Sequence, residues 1–480
     1  MRGAGRGRGG DGSASARASH LLSRRSFLAA AAGAALGARG LPGIGGLGPP
    51  GQGAPFARPR PSPAQLAWQR DELALFLHFG MNTFTGREWG DGTEDPALFA
   101  PTALDARAWA RTARAAGFRA MILTAKHHDG FCLWPTRTTA HSVASSPWRG
   151  GTGDVVRDFV DACRAEGLKA GLYCSPWDRN APSYGDSPRY NDLYVAQLTE
   201  LLTGYGPIHE VWFDGANGEG PNGRHQHYDW PRFWRAVRRL QPEAVIFSDA
   251  GPDVRWIGNE TGSAGEPNWS AVDPAVVRFP GATGPDVTRQ LQHGDRDGTV
   301  WRPGETDVSI RPGWFYHPEE DDRVRAVEDL VDLYFTSVGR NSKLLLNVPP
   351  TPAGRLAEVD AARLQGMHEV LESRFSADLA AGAVRTRAVT GERAAVQELE
   401  LGRSVEVGVV DLREDIRHGQ SVAGYRVEGR VDGTWRTVSR GQTIGYRKLD
   451  RVEPFTVRRL RVHVEDGWGR PPEVGVALYG

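Results

Sequence analysis

The chain has 480 residues, with 58 Lys and Arg balanced by 58 Asp and Glu, 40% hydrophobic residues, 15 Trp and only 3 Cys. That length allows one large barrel with an accessory domain, or two to three domains, with enough apolar residues for a substantial core. Charge neutrality argues against a protein whose main task is to grip nucleic acid or an anionic membrane. The few cysteines, all between positions 132 and 174, exclude a disulfide scaffold and a Cys-rich zinc fold. The Trp surplus is a weak pointer to flat apolar ligand faces such as those of sugars.

Residues 1–66 carry no pattern of a folded element. Within them, Ser23-Arg24-Arg25-Ser26-Phe27-Leu28 precedes an Ala/Gly/Leu run to about Leu36. Paired arginines followed by a weakly apolar stretch too short to span a bilayer have the form of a twin-arginine export signal. The Pro/Gly-rich residues 41–63 read as a linker or cleavage region. No later stretch approaches a membrane-spanning length of apolar residues. The expectation is therefore a protein exported across the cytoplasmic membrane, extracellular or in the cell envelope, with no membrane span. Cys132, Cys163 and Cys174 read as buried free thiols.

From about 67 to 374 short apolar runs alternate with amphipathic stretches. Strands are expected at Leu73–Phe84, Arg119–His127, Lys169–Ser175, Glu210–Asp214, Ala244–Asp249, Val254–Glu260, Asp307–Phe315 and Lys343–Val348. Helices are expected at 104–116, 153–166, 190–204, 229–240, 321–338 and 354–373. Such alternation predicts an α/β fold with parallel strands and outer helices, an irregular (β/α)8-like barrel whose later repeats lack clear helices. No GxGxxG or Walker loop follows a strand, which counts against a nucleotide fold. Beyond 375 the alternation shortens to VQELEL, VEVGVVDL, GYRVEGRV and RRLRVHV, separated by Gly and Asp turns. That pattern predicts a small C-terminal antiparallel β-sandwich over 375–480, structural rather than a separate lectin.

In a parallel barrel the reactive face lies at the C-terminal ends of the strands. Here those ends are polar and aromatic: His78 with Glu88-Trp89, His127-His128-Asp129, Tyr173 to Asp178, Trp212 to Gly215, Arg255 to Glu260, and Ile310 to Tyr316. Indoles pack on the apolar face of a sugar, imidazoles and carboxylates hold hydroxyls, and two carboxyls can perform the acid and nucleophile work of glycoside hydrolysis. Asp214 is the first candidate nucleophile because it closes an apolar strand and precedes Gly215, which lets the backbone turn away. The alternative is an Asp that caps the following loop. Glu260 is the first candidate acid/base, with Glu266, Glu219 and Glu88 as rivals. His127-His128 invites a metal reading, but neighbours on a strand point to opposite sides, and no HxH or HExxH accompanies them. The plainer reading is one buried, hydrogen-bonded His and one in the pocket, with Asp129 capping a turn.

With these motifs in hand the sequence resembles the α-L-fucosidases of glycoside hydrolase family 29 over essentially all of 67–480. The resemblance rests on Phe76-Leu77-His78-Phe79-Gly80, Lys126-His127-His128-Asp129-Gly130-Phe131, Trp212-Phe213-Asp214-Gly215, the run Asn341 to Pro352 (NSKLLLNVPPTP) and Ile444-Gly445-Tyr446. It implies an irregular barrel followed by a β-sandwich, and retaining hydrolysis of terminal fucose from a glycan with neither metal nor cofactor. Asp214 matches the family's nucleophile. His78, Glu88, Trp89, His127, His128 and Tyr173 match residues that hold fucose or line its pocket, Trp212 belongs to the nucleophile's motif, and Trp314 matches an aromatic position near the sugar's methyl group. The segments from Arg255 to Glu260 and Asp307 to His317 look like the branch selective for 1,3- and 1,4-linked fucose, in which the acid/base falls at Glu260. Loops 217–229 and 261–300, with His225, His227, Trp269 and His293, are where the neighbouring sugars would be met. The competing readings are a non-catalytic carbohydrate-binding barrel and a metal-dependent barrel hydrolase.

Overall fold

The computed structural model describes residues 58–480; the expected twin-arginine segment lies outside the described residues. Order begins earlier than the expected boundary at 67. Pro63–Gln69 forms a helix started by a capping box, in which Ser62 Oγ accepts from Gln65 N–H and the Gln65 side chain accepts from Ser62 N–H.

Eight parallel strands form a nearly closed barrel: β1 (Leu73–Leu77), β2 (Ala120–Lys126), β3 (Lys169–Cys174), β4 (Glu210–Trp212), β5 (Val245–Phe247), β6 (Arg255–Trp256), β9 (Gly304–Ser309) and β10 (Ser342–Asn347). A two-stranded hairpin, β7 (Ala271–Val272) and β8 (Val300–Trp301), intervenes. The hydrogen-bonded order is β5-β4-β3-β2-β1-β10-β9-β6, and a single parallel bridge between Phe247 and Val254 joins its two ends. Each of the eight expected strands has a counterpart, but β9 runs over Gly304–Ser309 rather than Asp307–Phe315, and β6 keeps only Arg255–Trp256 of the expected Val254–Glu260. The first is shorter than expected because Met81–Thr85 turns into a helix. Helices occupy Ala106–Ala115, Val155–Ala165, Ser187–Gly204, Trp230–Leu240 and Val327–Thr336, close to the expected spans. The expected irregularity falls between β5 and β6, where seven residues leave no room for a helix, and between β6 and β9.

Strand alternation sorts the side chains. On β4, Glu210 and Trp212 share the inward face that Asp214 continues, while Phe213 points out against Tyr194 and Trp230. Phe76, Ile122, Tyr173, Trp212, Phe247, Trp256 and Leu345 meet inside the barrel as one apolar cluster. Large flat rings from several strands fill the interior of the barrel.

After the helix Glu358–Phe375 come six strands, β11 (Val384–Val389), β12 (Ala395–Arg413), β13 (Val422–Val431), β14 (Thr434–Gly441), β15 (Lys448–Gly467) and β16 (Gly475–Tyr479). They belong to one continuously hydrogen-bonded antiparallel sheet because β12 and β15 run 19 and 20 residues through bulges near 400–409. A bulge resets which residues face inward, so Leu399, Val405, Val407, Val410 and Leu412 all enter one core with Val427, Val462 and Leu478. The sheet thereby folds over itself and encloses its own apolar face. Asn341 fastens this domain to the barrel. Its Oδ1 accepts from Tyr446 N–H at 2.8 Å, and its Nδ2 donates to Asn268 O and Ser270 Oγ, both at 3.1 Å. Gly445, at φ +65°, would push a Cβ to 2.3 Å from Asn341, so only glycine fits there.

Candidate active site

Asp214 lies just past β4 with both oxygens engaged. Tyr173 donates its hydroxyl to Oδ2 at 3.0 Å, and Ala216 N–H donates to Oδ1 at 2.8 Å. The capping reading and the pocket reading thus each account for one oxygen. Gly215 is needed for a reason other than the expected turn: a Cβ there would sit 2.6 Å from Asp249 Oδ2 and 2.7 Å from Gly281 N. His128 Nε2 is 3.9 Å from Asp214 Oδ2, and its Nδ1 meets Ser175 Oγ at 2.7 Å.

The two histidines do not split to opposite sides. β2 ends at Lys126, and Gly130 N–H closes a turn on His127 O at 3.0 Å, so strand alternation no longer governs them. Their ring centres are 4.1 Å apart, with His127 also stacked on Tyr173 at 5.8 Å. Asn82 Nδ2 donates to His127 Nδ1 at 3.3 Å. Asp129 caps its turn by accepting from Phe131 N–H at 2.7 Å, and burial pushes its carboxyl up to about 7. Among the described residues no three His, Cys, Asp or Glu side chains group as metal ligands.

His78, continuing β1, places Nδ1 2.8 Å from Asn347 Oδ1, and its ring centre lies 5.0 Å from Trp314 and 5.5 Å from His127. Asn347 also donates through Nδ2 to Ser309 Oγ and Trp314 O, each at 2.9 Å. This asparagine of the LLLN run ties one wall of the pocket to the other. Glu88 acts as a clasp on the same wall, accepting from Trp314 N–H at 2.9 Å and Phe315 N–H at 3.2 Å, with His317 Nε2 at 3.4 Å. The hydrogen bond that His317 donates to the Glu88 carboxylate holds its imidazole above the ordinary pKa. Trp89 packs edge-on against Trp177 at 6.1 Å, and Trp177 lies 4.7 Å from His128. Trp212 occupies the layer beneath, stacked on Phe247 at 4.0 Å.

Glu260 stands four residues beyond β6 on a turn flanked by Gly258 (φ +84°) and Gly262 (φ +73°). Asn259 shapes that turn, accepting from Thr261 N–H at 3.0 Å and donating to Ser263 O at 2.9 Å. Its rival Glu266 is placed elsewhere, ion-paired with Lys448 and 3.6 Å from Arg340 on the side facing the β domain. The same holds for two residues of the 261–300 loop. Trp269 lies under the Arg58 guanidinium at 5.3 Å, and His293 bonds Pro267 O at 2.8 Å. The 217–229 loop does approach the pocket wall, since Trp177 Nε1 donates to Glu219 O at 3.0 Å.

Sequence reasoning missed Asn347, Ser175, Asn82 and two buried carboxylates. Asp307 accepts from Trp256 Nε1 at 2.6 Å, and Asp249 accepts from Gly281 N–H at 3.0 Å. The period of two pointed to several of them, because Asp249 follows Phe247 and Asn347 follows Leu345 on inward positions.

Carboxylates, imidazoles and indoles on the strand-end rim of a barrel define a sugar-cleaving hydrolase. A family model described as alpha-L-fucosidase matches residues 81–374. Alpha-L-fucosidase 1 of Arabidopsis thaliana is 44% identical over 450 residues, covering 88% of this chain and 87% of that one. A glycoside hydrolase 29 family member from an unknown rumen bacterium superposes with a TM-score of 0.82 at 40% identity, over 88% of this chain and 78% of that one. A Ruminococcus gnavus GH29 fucosidase, solved in complex with fucose, gives 0.80 at 31% identity over 89% and 97%. The chain belongs to the α-L-fucosidase family, glycoside hydrolase family 29, and is a fucose-hydrolysing enzyme.

Proposed function

We propose that this enzyme is a retaining exo-fucosidase with Asp214 as nucleophile and Glu260 as acid/base. The observation that carries the reading is the setting of Asp214. Two donors, Tyr173 and Ala216 N–H, fix its carboxylate beside His128 at the end of β4. Asp214 attacks the anomeric carbon while Glu260 protonates the departing oxygen, giving a fucosyl ester. Water deprotonated by Glu260 then cleaves the ester with net retention. His78, His127 and His128 present ring nitrogens to the sugar hydroxyls, and Trp314 offers an apolar face. Following the anomer first released from an aryl fucoside by NMR tests the stereochemistry; a β-fucose first product would overturn it.

The reading extends to 1,3- and 1,4-linked fucose, supported by the sequence of the Arg255–Glu260 and Asp307–His317 segments. Arg255 gives the first of these a rigid base: it is buried, donating to Leu291 O at 3.0 Å and Asn268 Oδ1 at 2.6 Å. Competing a Lewis-type trisaccharide, a 2-linked fucosyllactose and an aryl fucoside decides this point, and rapid cleavage of all three excludes selectivity. The Arg24-Arg25 pair supports export by the twin-arginine route, and a double Lys substitution that leaves export unchanged would exclude that route.

A further inference from the structure

Beneath the pocket, the barrel interior holds three charged side chains that hydrolysis does not use. Glu210 on β4, Glu305 on β9 and Lys343 on β10 are each at most 1% exposed. Lys343 Nζ is 3.2 Å from Glu210 Oε2, within hydrogen-bond reach, but 3.8 Å from Glu305 Oε2, beyond it. Trp68 donates its indole N–H to the same Glu210 Oε2 at 2.8 Å, and its ring lies 4.5 Å from the ammonium. Glu210 and Lys343 therefore form the matched pair. Glu305 receives one donor, Trp212 Nε1 on Oε1 at 2.9 Å; its Oε2 makes no hydrogen bond among the described residues and meets Lys343 only at ion-pair distance, and Glu210 Oε1 likewise makes no hydrogen bond.

Two carboxylates sharing one ammonium leave an unbalanced negative charge in the barrel interior, and the more distant of the two relieves it by taking up a proton. The surrounding groups sharpen the imbalance. Asp307 lies two residues further along β9, and Asp71, whose own partners are Lys169 and His209, adds negative charge on the Lys343 side. Burial first, then the charge of Glu210, raises the Glu305 carboxyl well above the usual range, and Lys343 only partly opposes this.

We propose that Glu305 carries a proton at neutral pH and, as a neutral acid, is the positioning residue for the pocket floor. Its carbonyl oxygen Oε1 fixes the Trp212 indole, and the proton resides on Oε2, which makes no hydrogen bond. Trp212 lies against Tyr173 at 5.3 Å, and Tyr173 holds Asp214 at 3.0 Å. The link to catalysis rests on Asp214 being the nucleophile; the protonation state does not.

The test uses the full-length enzyme. Infrared spectroscopy with carboxyl-labelled glutamate should show the carbonyl stretch of a buried protonated acid at neutral pH, lost in Glu305→Gln. The isosteric amides then locate the proton. Glu305→Gln, which mimics the neutral acid, should keep kcat within about threefold, whereas Glu210→Gln strips Lys343 of its partner and should cost far more. Glu305→Leu removes the acceptor of Trp212 and should lower kcat by about 100-fold with little change in KM, the size expected for a reacting group displaced by about an ångström. Absence of the band in the native enzyme, tolerance of Glu210→Gln with loss in Glu305→Gln, or equal loss in Glu305→Gln and Glu305→Leu would each overturn the proposal. Should Glu305→Leu fail to fold, the band and the two amides still decide. Full activity of Asp214→Ala would instead defeat the nucleophile assignment while leaving the infrared result in place.

Discussion

The two halves of the barrel are built differently. From β1 to β4 the strands are joined through helices and end in side chains that bond one another: Tyr173 to Asp214, Ser175 to His128, Asn82 to His127. From β5 to β9 the strands before β9 are two or three residues long, the ring closes through one residue pair, and β6 is followed by a long excursion that holds a hairpin and the helix Pro285–His293. The first half supplies a rigid cradle in which a nucleophile can be held without motion. The second half supplies Glu260 on a turn between two glycines. A nucleophile gains from fixed geometry, whereas an acid/base must serve a leaving group and then a water, and a turn flanked by two glycines on the buried base of Arg255 suits that task.

Breaking each half in turn gives effects of graded size. Asp214→Ala should lower kcat by about 10⁴-fold or more, as loss of a covalent nucleophile does elsewhere, and azide should restore turnover as a fucosyl azide. Glu260→Ala should cost about 10²- to 10⁴-fold on an oligosaccharide but much less on an aryl fucoside whose leaving group needs no proton. Equal losses on both substrates would remove Glu260 from the acid role. A smaller effect belongs to the Glu88–His317 clasp. Because Glu88 raises the pKa of His317, its stabilisation is complete below the ordinary imidazole value of about 6.5 and is lost as pH rises through the raised folded value. KM should climb over that alkaline window in the native enzyme. In His317→Ala it should already be high and flat with pH. The smallest effect concerns the chain's entry into the fold. Arg58 donates to Gln420 O and Arg296 O and lies over Trp269 and Trp468 at 5.3 and 5.1 Å. Arg58→Ala should lower stability by about 1–2 kcal/mol, read by denaturant titration, with kcat unchanged.

The same contrast decided what could be read from sequence. Short apolar runs revealed where the barrel strands fall, because strands covered on both faces are apolar almost throughout. They could not foresee that His127 and His128 lie past the strand end, since a turn closing at Gly130 erases the period of two. The clasp made by Glu88 was not legible, because its partners at Trp314 and Phe315 are backbone amides more than 220 positions away. Trp269 and His293 resembled pocket residues by type, and only the docking of the β domain assigns them elsewhere. The Glu210–Glu305–Lys343 trio left no local trace, as each member alone reads as an ordinary charged residue at a strand end.

Cys132, Cys163 and Cys174 are all unpaired and buried, and burial pushes the Cys174 thiol up to about 11. A thiol that is both covered and protonated reacts with neither disulfides nor alkylating probes. The enzyme thus carries three internal reporters of its own opening. Under native conditions a thiol reagent should find nothing to label, and the order in which the three sites become reactive on warming would chart which part of the barrel loosens first.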